Sequence, residues 1–246
     1  MTIQIDLIRK SIAALLTGSV LISLSVGKAA EPVRRDLAAI KEQQTSTTPA
    51  QVLQWLKEGN ERFATGKQKN RDMLHDQQVT AAGQFPRAVI LSCIDSRAPA
   101  EFIFDAGIGD LFNARIAGNI ADPDLVGSME FACKVAGAKL VLVMGHTNCG
   151  AIKGACDNVQ LGNLTGLLDK IKPAVKAVQN VAGERNSKNM AFVDGVAETN
   201  VQLTVERIRE LSPILRDMEK EGNIQIVGSA YNLETGRVQF LSAAKK

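Results

Sequence analysis

Five residues in two short motifs carry side chains that can bind a metal ion and act on a ligand beside it. Cys93, Asp95 and Arg97 alternate in one motif, and His146 and Cys149 stand three apart in the other. Two thiols and one imidazole are typical ligands of a catalytic zinc, which keeps a fourth position for water or substrate. The spacing therefore predicts an open zinc site with a carboxylate, Asp95, beside it.

Asp95 and Arg97 are predicted to act as a pair. Two thiolates and a neutral imidazole cancel the charge of Zn²⁺, so this centre acidifies bound water less than a tri-imidazole centre would. Asp95 can orient zinc-bound hydroxide by accepting its hydrogen bond, and the planar Arg97 guanidinium can keep Asp95 ionised. Without that pairing, Asp95 is close enough to become a fourth ligand and close the site. A purely structural Asp95–Arg97 ion pair and a Cys93–Cys149 disulfide are the alternative interpretations.

The other two cysteines and the second histidine give weaker signals. Cys133 falls in a helical stretch and is expected to be buried and inert. Cys156 follows Cys149 by two helical turns, so packing is favoured over ligation. The sequence does not decide between two free thiols and a disulfide that joins Cys133 to Cys156. His75 lies in a polar stretch, where a solvated surface position is favoured over a proton-relay role.

Alternating strand and helix patterns predict an α/β domain with a mostly parallel sheet flanked by helices. The expected strands are residues 87–93, 112–116, 139–144, 224–229 and 236–241, the last two as an antiparallel pair at the carboxyl terminus. An extended amino-terminal helix is expected over residues 48–66. Ligand sites in such sheets lie at the carboxyl ends of the strands. Cys93 ends one predicted strand and His146 follows another, so the metal motif stands where this fold forms sites.

The amino terminus predicts export. Residues 1–29 combine Arg9 and Lys10, a long uncharged run and small residues at the end, which is typical of a secretory signal peptide. Residues 30–48 are polar and are interpreted as a linker, which leaves 49–246 as the catalytic domain. The expected location is periplasmic or secreted, with no stable membrane insertion after cleavage. The net charge of +3 gives no electrostatic footprint for nucleic acid.

The motifs taken together resemble those of the β-class carbonic anhydrases, from about residue 56 to the carboxyl terminus. They are Gly59-Asn60-Glu61-Arg62-Phe63, Gln84-x-Pro86, Cys93-x-Asp95-Ser96-Arg97, Gly109-Asp110-Leu111-Phe112, Arg115-x-Ala117-Gly118-Asn119, Gly145-His146-x-x-Cys149-Gly150 and Tyr231-Asn232-Leu233-Glu234-Thr235-Gly236. The resemblance implies reversible, zinc-dependent hydration of CO2 to bicarbonate and a proton.

The resemblance also implies a role for each motif residue. The implied ligands of one zinc ion per subunit are Cys93, His146 and Cys149. Asp95 and Arg97 correspond to the family's catalytic dyad. Gln84 corresponds to a glutamine that binds substrate, and Gly150 is implied to offer a backbone N–H near the substrate.

Family members are usually dimers or multiples of dimers, so the resemblance implies a homodimer or tetramer in which helix 48–66 embraces the partner. Some members also bind bicarbonate at a regulatory site made of Trp, Arg and Tyr. Arg115 and Tyr231 match two of these positions, but Ile90 stands at the Trp position, which argues against this form of regulation. The resting site is expected to be open, with water rather than Asp95 on zinc.

Three other functions use the same residues differently. A related zinc hydrolase acting on CS2 or COS would share the fold and the ligands. A non-catalytic zinc-binding protein would need neither Asp95 nor Arg97. A thiol redox protein would use Cys93 and Cys149, but the C-x-x-C pattern expected of it is absent.

Overall fold

A five-stranded sheet organises the computed structural model, which describes residues 31–241. The strands are β1 (Ala88–Ser92), β2 (Leu111–Arg115), β3 (Leu140–His146), β4 (Gln225–Tyr231) and β5 (Val238–Phe240). Their spatial order is β2-β1-β3-β4-β5, with every neighbour parallel except the antiparallel β4–β5 pair. The predicted mostly parallel sheet with an antiparallel carboxyl-terminal edge is confirmed.

The two central strands are apolar because both of their faces are covered. Every residue of β1 and of β3 is buried. Val89 and Leu91 face one core cluster together with Val201 of a long helix, and Ala88 and Ile90 face a second cluster. This alternation across a sheet with two covered faces explains why these strands read as continuous hydrophobic runs.

Helices fill the connections. They are α1 (Leu37–Ser46), α2 (Pro49–Ala64), α3 (Met73–Thr80), α4 (Ala100–Ile103), α5 (Pro123–Glu130), α6 (Gly150–Cys156), α7 (Gly162–Asp169), α8 (Lys172–Ala177), α9 (Met190–Leu211) and α10 (Pro213–Lys220). A 3₁₀ turn spans Ala117–Asn119, and a π-helical turn, Phe131–Val135, extends α5. None of the helices in the described part of the chain has the length and apolar character to cross a membrane.

The extended helix predicted over residues 48–66 is α2, and its start follows from local chemistry. The Thr48 hydroxyl accepts from the Gln51 N–H, the Gln51 side chain accepts from the Thr48 N–H, and Pro49 occupies the first turn. This reciprocal capping satisfies amide groups that have no partner inside the helix.

The interpretation of residues 30–48 as a linker is wrong for α1, which packs on the domain. Asp36 caps this helix, and Ile40 and Gln44, one turn apart, are 2% and 5% exposed. The Gln44 amide donates to the carbonyls of Pro86 at 2.7 Å and Ala136 at 2.8 Å. Only one narrow stripe of α1 is buried and half of that stripe is polar, so the composition resembles that of a linker. The predicted signal peptide, residues 1–29, lies outside the described residues.

Candidate metal centre

The ends of β1 and β3 bring together the three side chains that are predicted to bind metal. Cys93 directly follows β1, His146 is the last residue of β3, and Cys149 stands immediately before α6. Because β1 and β3 pair in parallel, with Ser92 opposite Met144, both strands end at the same edge of the sheet. All three side chains are buried, and their ligand atoms lie within 4.8 Å of one another.

The donor atoms fit a thiophilic cation. His146 Nε2 is buried and has no hydrogen-bond partner, while Nδ1 lies 2.9 Å from the Thr147 carbonyl oxygen. A proton on Nδ1 would donate to that carbonyl and leave the Nε2 lone pair facing the sulfurs, the arrangement that orients ligating histidines. Two sulfurs and one imidazole nitrogen suit zinc better than they suit hard cations.

The two sulfurs are in hydrogen-bond contact and are not joined as a disulfide. Cys93 Sγ and Cys149 Sγ lie 4.0 Å apart, about twice the length of a disulfide bond. The hydrogen bond from Cys149 lowers the pKa of Cys93 to about 4 against the opposing effect of burial, and the Gly118 N–H also donates to this sulfur. The pKa of Cys149 is raised, because its proton is bonded to Cys93 and because burial disfavours a second thiolate. A cation that binds both sulfurs would release that proton.

Asp95 and Arg97 form a two-pronged pair beside the centre. Arg97 Nε donates to Asp95 Oδ1 at 2.9 Å, and Nη2 donates to Oδ2 at 2.7 Å. Asp95 Oδ2 in turn lies 3.8 Å from His146 Nε2. The Arg97 guanidinium holds the pKa of Asp95 below its usual range, so this carboxyl stays ionised. Both carboxylate oxygens of Asp95 are thus engaged by the Arg97 guanidinium.

Arg115, on the neighbouring strand β2, supports the loop after β1 that carries Cys93, Asp95 and Arg97, here called the metal loop. The sequence did not reveal this role. Its Nε donates to the Cys93 carbonyl at 2.9 Å, and its Nη2 donates to the Asp95 carbonyl at 2.6 Å. Arg115 is the register partner of Ser92 in the parallel β1–β2 pair, one residue before Cys93. That register is the signal that could have revealed it, because a long cation there must face the loop that follows β1.

Gly118 completes the support on the sulfur side. It lies in the 3₁₀ turn with a φ of 70°, and a Cβ on it would come within 2.6 Å of the Ile171 side chain. Its carbonyl accepts from the Asn200 amide at 2.8 Å and its N–H donates to Cys93 Sγ at 3.4 Å, so both backbone groups of Gly118 are held. Only a residue without a side chain meets these demands.

Comparison with known proteins identifies the family. A family model described as carbonic anhydrase matches residues 88–238, which include the whole metal loop. Carbonic anhydrase 2 of Mycobacterium tuberculosis is 36% identical over 198 residues, covering 78% of this chain and 92% of that protein. The chain belongs to the carbonic anhydrase family. The carbonic anhydrase of Mycolicibacterium smegmatis is 30% identical over 203 residues, covering 80% of this chain and 95% of that protein.

Solved structures place it with the β-class carbonic anhydrases, as the motifs indicated. The β-carbonic anhydrase CafA of Aspergillus fumigatus superposes with a TM-score of 0.59 at 26% identity, covering 69% of this chain and 82% of that one. A tetrameric β-carbonic anhydrase of Sordaria macrospora shares the fold with a TM-score of 0.60 at 23% identity, covering 78% of this chain and 97% of that one.

Two residues that the carbonic anhydrase resemblance points to lie at different ends of the sheet. Gly150 is the first residue of α6, directly after Cys149, with open space at its Cα. Gln84 is exposed and precedes β1, near the amino ends of the strands. The extended segment from Arg87 to Cys93, which contains β1, alone spans about 20 Å. The structure therefore does not bring Gln84 to the centre of its own chain, and its role stays a prediction.

The remaining cysteines and histidine lie apart from the Cys93–His146–Cys149 cluster. Cys133 is buried, which raises the pKa of its thiol to about 12, and burial also raises the pKa of the half-buried Cys156 to about 11. Both are free thiols, so the disulfide between them is absent. His75 Nε2 lies 2.9 Å from the Arg35 carbonyl oxygen, which gives this histidine a half-buried position rather than a fully solvated one.

Proposed function

We propose that this chain catalyses the reversible hydration of CO2 to bicarbonate and a proton, with zinc bound by Cys93, His146 and Cys149. The observation that carries the proposal is the unpaired His146 Nε2, which faces both ligand sulfurs and lies 3.8 Å from the ionised Asp95. Membership of the carbonic anhydrase family supports the same reaction. When bound, zinc supplies the Lewis acidity that makes water a nucleophile near neutral pH.

The chain's own residues bind and orient the reactants. Asp95 is poised to accept a hydrogen bond from the attacking water and so to direct its lone pair, while Arg97 holds Asp95 in position and in its charged form. The Gly150 N–H, at the free start of α6, is available to a substrate oxygen. The buried sulfurs and imidazole exclude other water from the ligand side of the site.

We further propose that Gln84 acts on the site of a second copy of the chain. Gln84 is exposed at the amino ends of the strands and cannot serve its own metal centre. Ile94 and Phe102 are 61% and 62% exposed beside the metal loop and offer the apolar surface that a second copy would cover. In a homodimer or tetramer, Gln84 of one subunit would reach the metal centre of another, and the exposed Ile94 and Phe102 would lie in the interface.

Mixed oligomers test this sharing directly. A Gln84→Leu subunit paired with an Asp95→Asn subunit leaves one site with a native Asp95 and the partner's native Gln84. Mixing the two inactive variants under subunit exchange should therefore restore hydration in the mixed dimers. If the mixture stays as inactive as its parents while exchange is demonstrated by mass spectrometry, Gln84 does not act across an interface.

Metal analysis combined with stopped-flow CO2 hydration tests the reaction itself. We expect one zinc per chain and hydration that disappears with a zinc chelator and returns with added zinc. CS2 and COS hydrolysis should be measured on the same preparation. Zinc binding without CO2 hydration would overturn the proposal, in favour of the hydrolase if CS2 or COS is consumed and of a non-catalytic zinc protein if neither is.

Export remains part of the proposal and rests on the sequence of residues 1–29. Its charged start and long uncharged run support a cleaved signal peptide and a periplasmic or secreted enzyme. Fractionation of cells that express the full chain, followed by amino-terminal sequencing, tests this. A cytoplasmic protein that retains Arg9 would contradict export.

A further inference from the structure

A cationic cavity lies at the amino ends of the parallel strands, the opposite end of the sheet from Cys93. Its volume is about 490 Å³. Its basic lining residues are Arg34, Arg35, Lys69, Arg71 and Arg87. The Arg87 N–H donates to the Asp110 carbonyl at 2.9 Å, and the Arg87 carbonyl accepts from the Lys139 N–H at 2.8 Å, just before β1, β2 and β3 begin. The backbone of Arg87, a lining residue of the cavity, is thus held by hydrogen bonds at the start of the sheet.

The basic residues converge from separate parts of the chain. Arg34 and Arg35 precede α1, Lys69 and Arg71 follow α2, and Arg87 precedes β1. Trp55 of α2 adds an aromatic wall, because the Arg87 guanidinium stacks over its ring with 3.5 Å to the centroid. Stacking fixes the plane of a guanidinium and leaves its N–H groups directed outward from the edge.

The carboxylates that line the cavity have little capacity left for these cations. Asp110 Oδ1 accepts from Arg35 at 2.6 Å and its Oδ2 accepts from the Gly107 N–H at 2.8 Å, while Arg87 approaches Oδ1 only to 3.5 Å. Asp36 is exposed, and its side chain accepts from the Ala39 N–H as the cap of α1.

The ion pairs behind the cavity leave positive charge in excess. The guanidinium groups of Arg35, Arg62, Arg71 and Arg87 share three buried carboxylates, those of Asp76, Asp105 and Asp110. Arg34, at the exposed rim, has its own partner in Asp72 at 3.0 Å. Within residues 31–241, the Lys69 ammonium forms no ion pair and stands among these guanidinium groups.

Repulsion between these cations contributes to lower pKa values for two of them, Lys69 and Arg87. Partial burial first, and then the charges of Arg62 and Arg71, lower the pKa of the Lys69 side chain, whose end reaches solvent. Burial likewise lowers the pKa of Arg87, with Asp110 opposing the shift and Arg35 adding to it. Positive groups that disfavour one another around an open cavity would be stabilised by an anion between them.

We propose that this cavity binds a small dianion of the phosphate or sulfate class. The planar fork of Arg87, whose approach to Asp110 is long, matches the oxygen spacing of such ions, Arg71 adds positive charge while bonded to Asp105, and Lys69 adds a point charge at the rim. The site is separate from the metal centre and does not depend on the proposed hydration reaction.

Titration calorimetry with inorganic phosphate, at constant ionic strength set with sodium chloride, tests the proposal on the full chain. Lys69→Gln removes the unpaired charge from an exposed side chain, so the fold should be retained. Its phosphate dissociation constant should rise roughly tenfold, the effect of losing one charge-assisted hydrogen bond. Lys67→Gln is the matched control, because Lys67 is an exposed lysine two residues away that does not line the cavity.

Retained affinity in Lys67→Gln with weakened affinity in Lys69→Gln would support the site. Arg87→Lys, which keeps the charge and loses the fork, should weaken binding as well. Equal losses in the two lysine variants would reduce the effect to general surface charge and overturn the proposal. Undetectable phosphate binding by the unaltered chain, or binding that Lys69→Gln leaves unchanged, would also overturn it, the latter because the ion would then bind without Lys69.

Discussion

The two ends of the parallel strands hold their polar groups in different ways. At the carboxyl ends, Cys93, His146 and Cys149 are placed by the backbone, each within one residue of a strand or helix boundary. At the amino ends, Arg35 is placed by its partners, bonding to Asp76 and Asp110 from 41 and 75 residues away along the chain. One end is ordered by secondary structure and the other by long-range ion pairs.

The two ends therefore contribute differently, the carboxyl end to metal binding and catalysis and the amino end to stability against unfolding. The carboxyl end presents an unpaired nitrogen and a thiolate, which are costly to bury unless a ligand compensates them. The amino end pairs its buried carboxylates, so its charges hold α1 and the strand starts together. Substitutions at the first end should therefore change metal binding and catalysis, and substitutions at the second should change unfolding.

Cys149→Ser should have the largest effect on function. Loss of one of three protein ligands should abolish stoichiometric zinc and reduce CO2 hydration by roughly a thousandfold or more, because the Lewis acid is worth several kcal/mol. Zinc content by mass spectrometry and stopped-flow hydration would measure both. Cys156→Ser, at a half-buried free thiol, is the control and should keep zinc and activity. Full zinc content in Cys149→Ser would show that the ligand is misassigned.

Asp95→Asn should separate metal binding from turnover. Asparagine retains the shape but loses the charge that orients water, so hydration should fall by about 10²–10⁴-fold while zinc stays bound. Asp169→Asn, at an exposed ion pair with Lys172, provides the control for carboxylate removal elsewhere. Unchanged turnover in Asp95→Asn would remove this residue from the mechanism.

Arg35→Gln should act at the other end of the sheet, on stability and not on CO2 hydration. It leaves Asp76 and Asp110, which are 1% and 3% exposed in their side chains, without their main cation. The expected loss is about 3–5 kcal/mol of unfolding free energy, measured with urea, with unchanged hydration per folded molecule. Arg34→Gln is the matched control, because Arg34 is 67% exposed and its loss should have little measurable effect. Equal effects of the two variants would contradict the assigned importance of the buried network.

The comparison also explains what the sequence could and could not predict. The clustering of Cys93, His146 and Cys149 and the parallel strands are predictable because continuous apolar runs mark buried strands, and sites follow their carboxyl ends. The burial of α1 and the Arg35 pairs was not predictable. Each depends on one polar side chain, Gln44 or Arg35, finding partners far along the chain, and no local pattern signals such partners.

The glycines at both ends illustrate the same limit. A Cβ on Gly107 would come within 2.4 Å of Arg35 Nη2, and one on Gly118 within 2.6 Å of Ile171. Both glycines are required by neighbours distant in sequence. No local pattern in the sequence shows which distant side chain each glycine must admit.

Arg115 combines placement by secondary structure with long-range bonding. It lies on strand β2 and donates hydrogen bonds to the loop that follows the neighbouring strand β1. Arg115→Met should loosen the peptides of Cys93 and Asp95 and weaken zinc affinity by about 10–100-fold, the usual effect of losing a group that orients a ligand. Zinc affinity measured by competition with a chromophoric chelator gives the readout, and urea unfolding separates it from general destabilisation.

Arg115→Lys sharpens that test, because it keeps the charge but can donate to one carbonyl more readily than to both. Zinc affinity should therefore recover in part. If the lysine variant behaves like the methionine variant, the fork geometry is what matters; if it behaves like the native chain, charge alone is sufficient. Native zinc affinity in Arg115→Met would show that the strand ends position Cys93 without help from β2, and the carboxyl end would then be ordered by backbone placement alone.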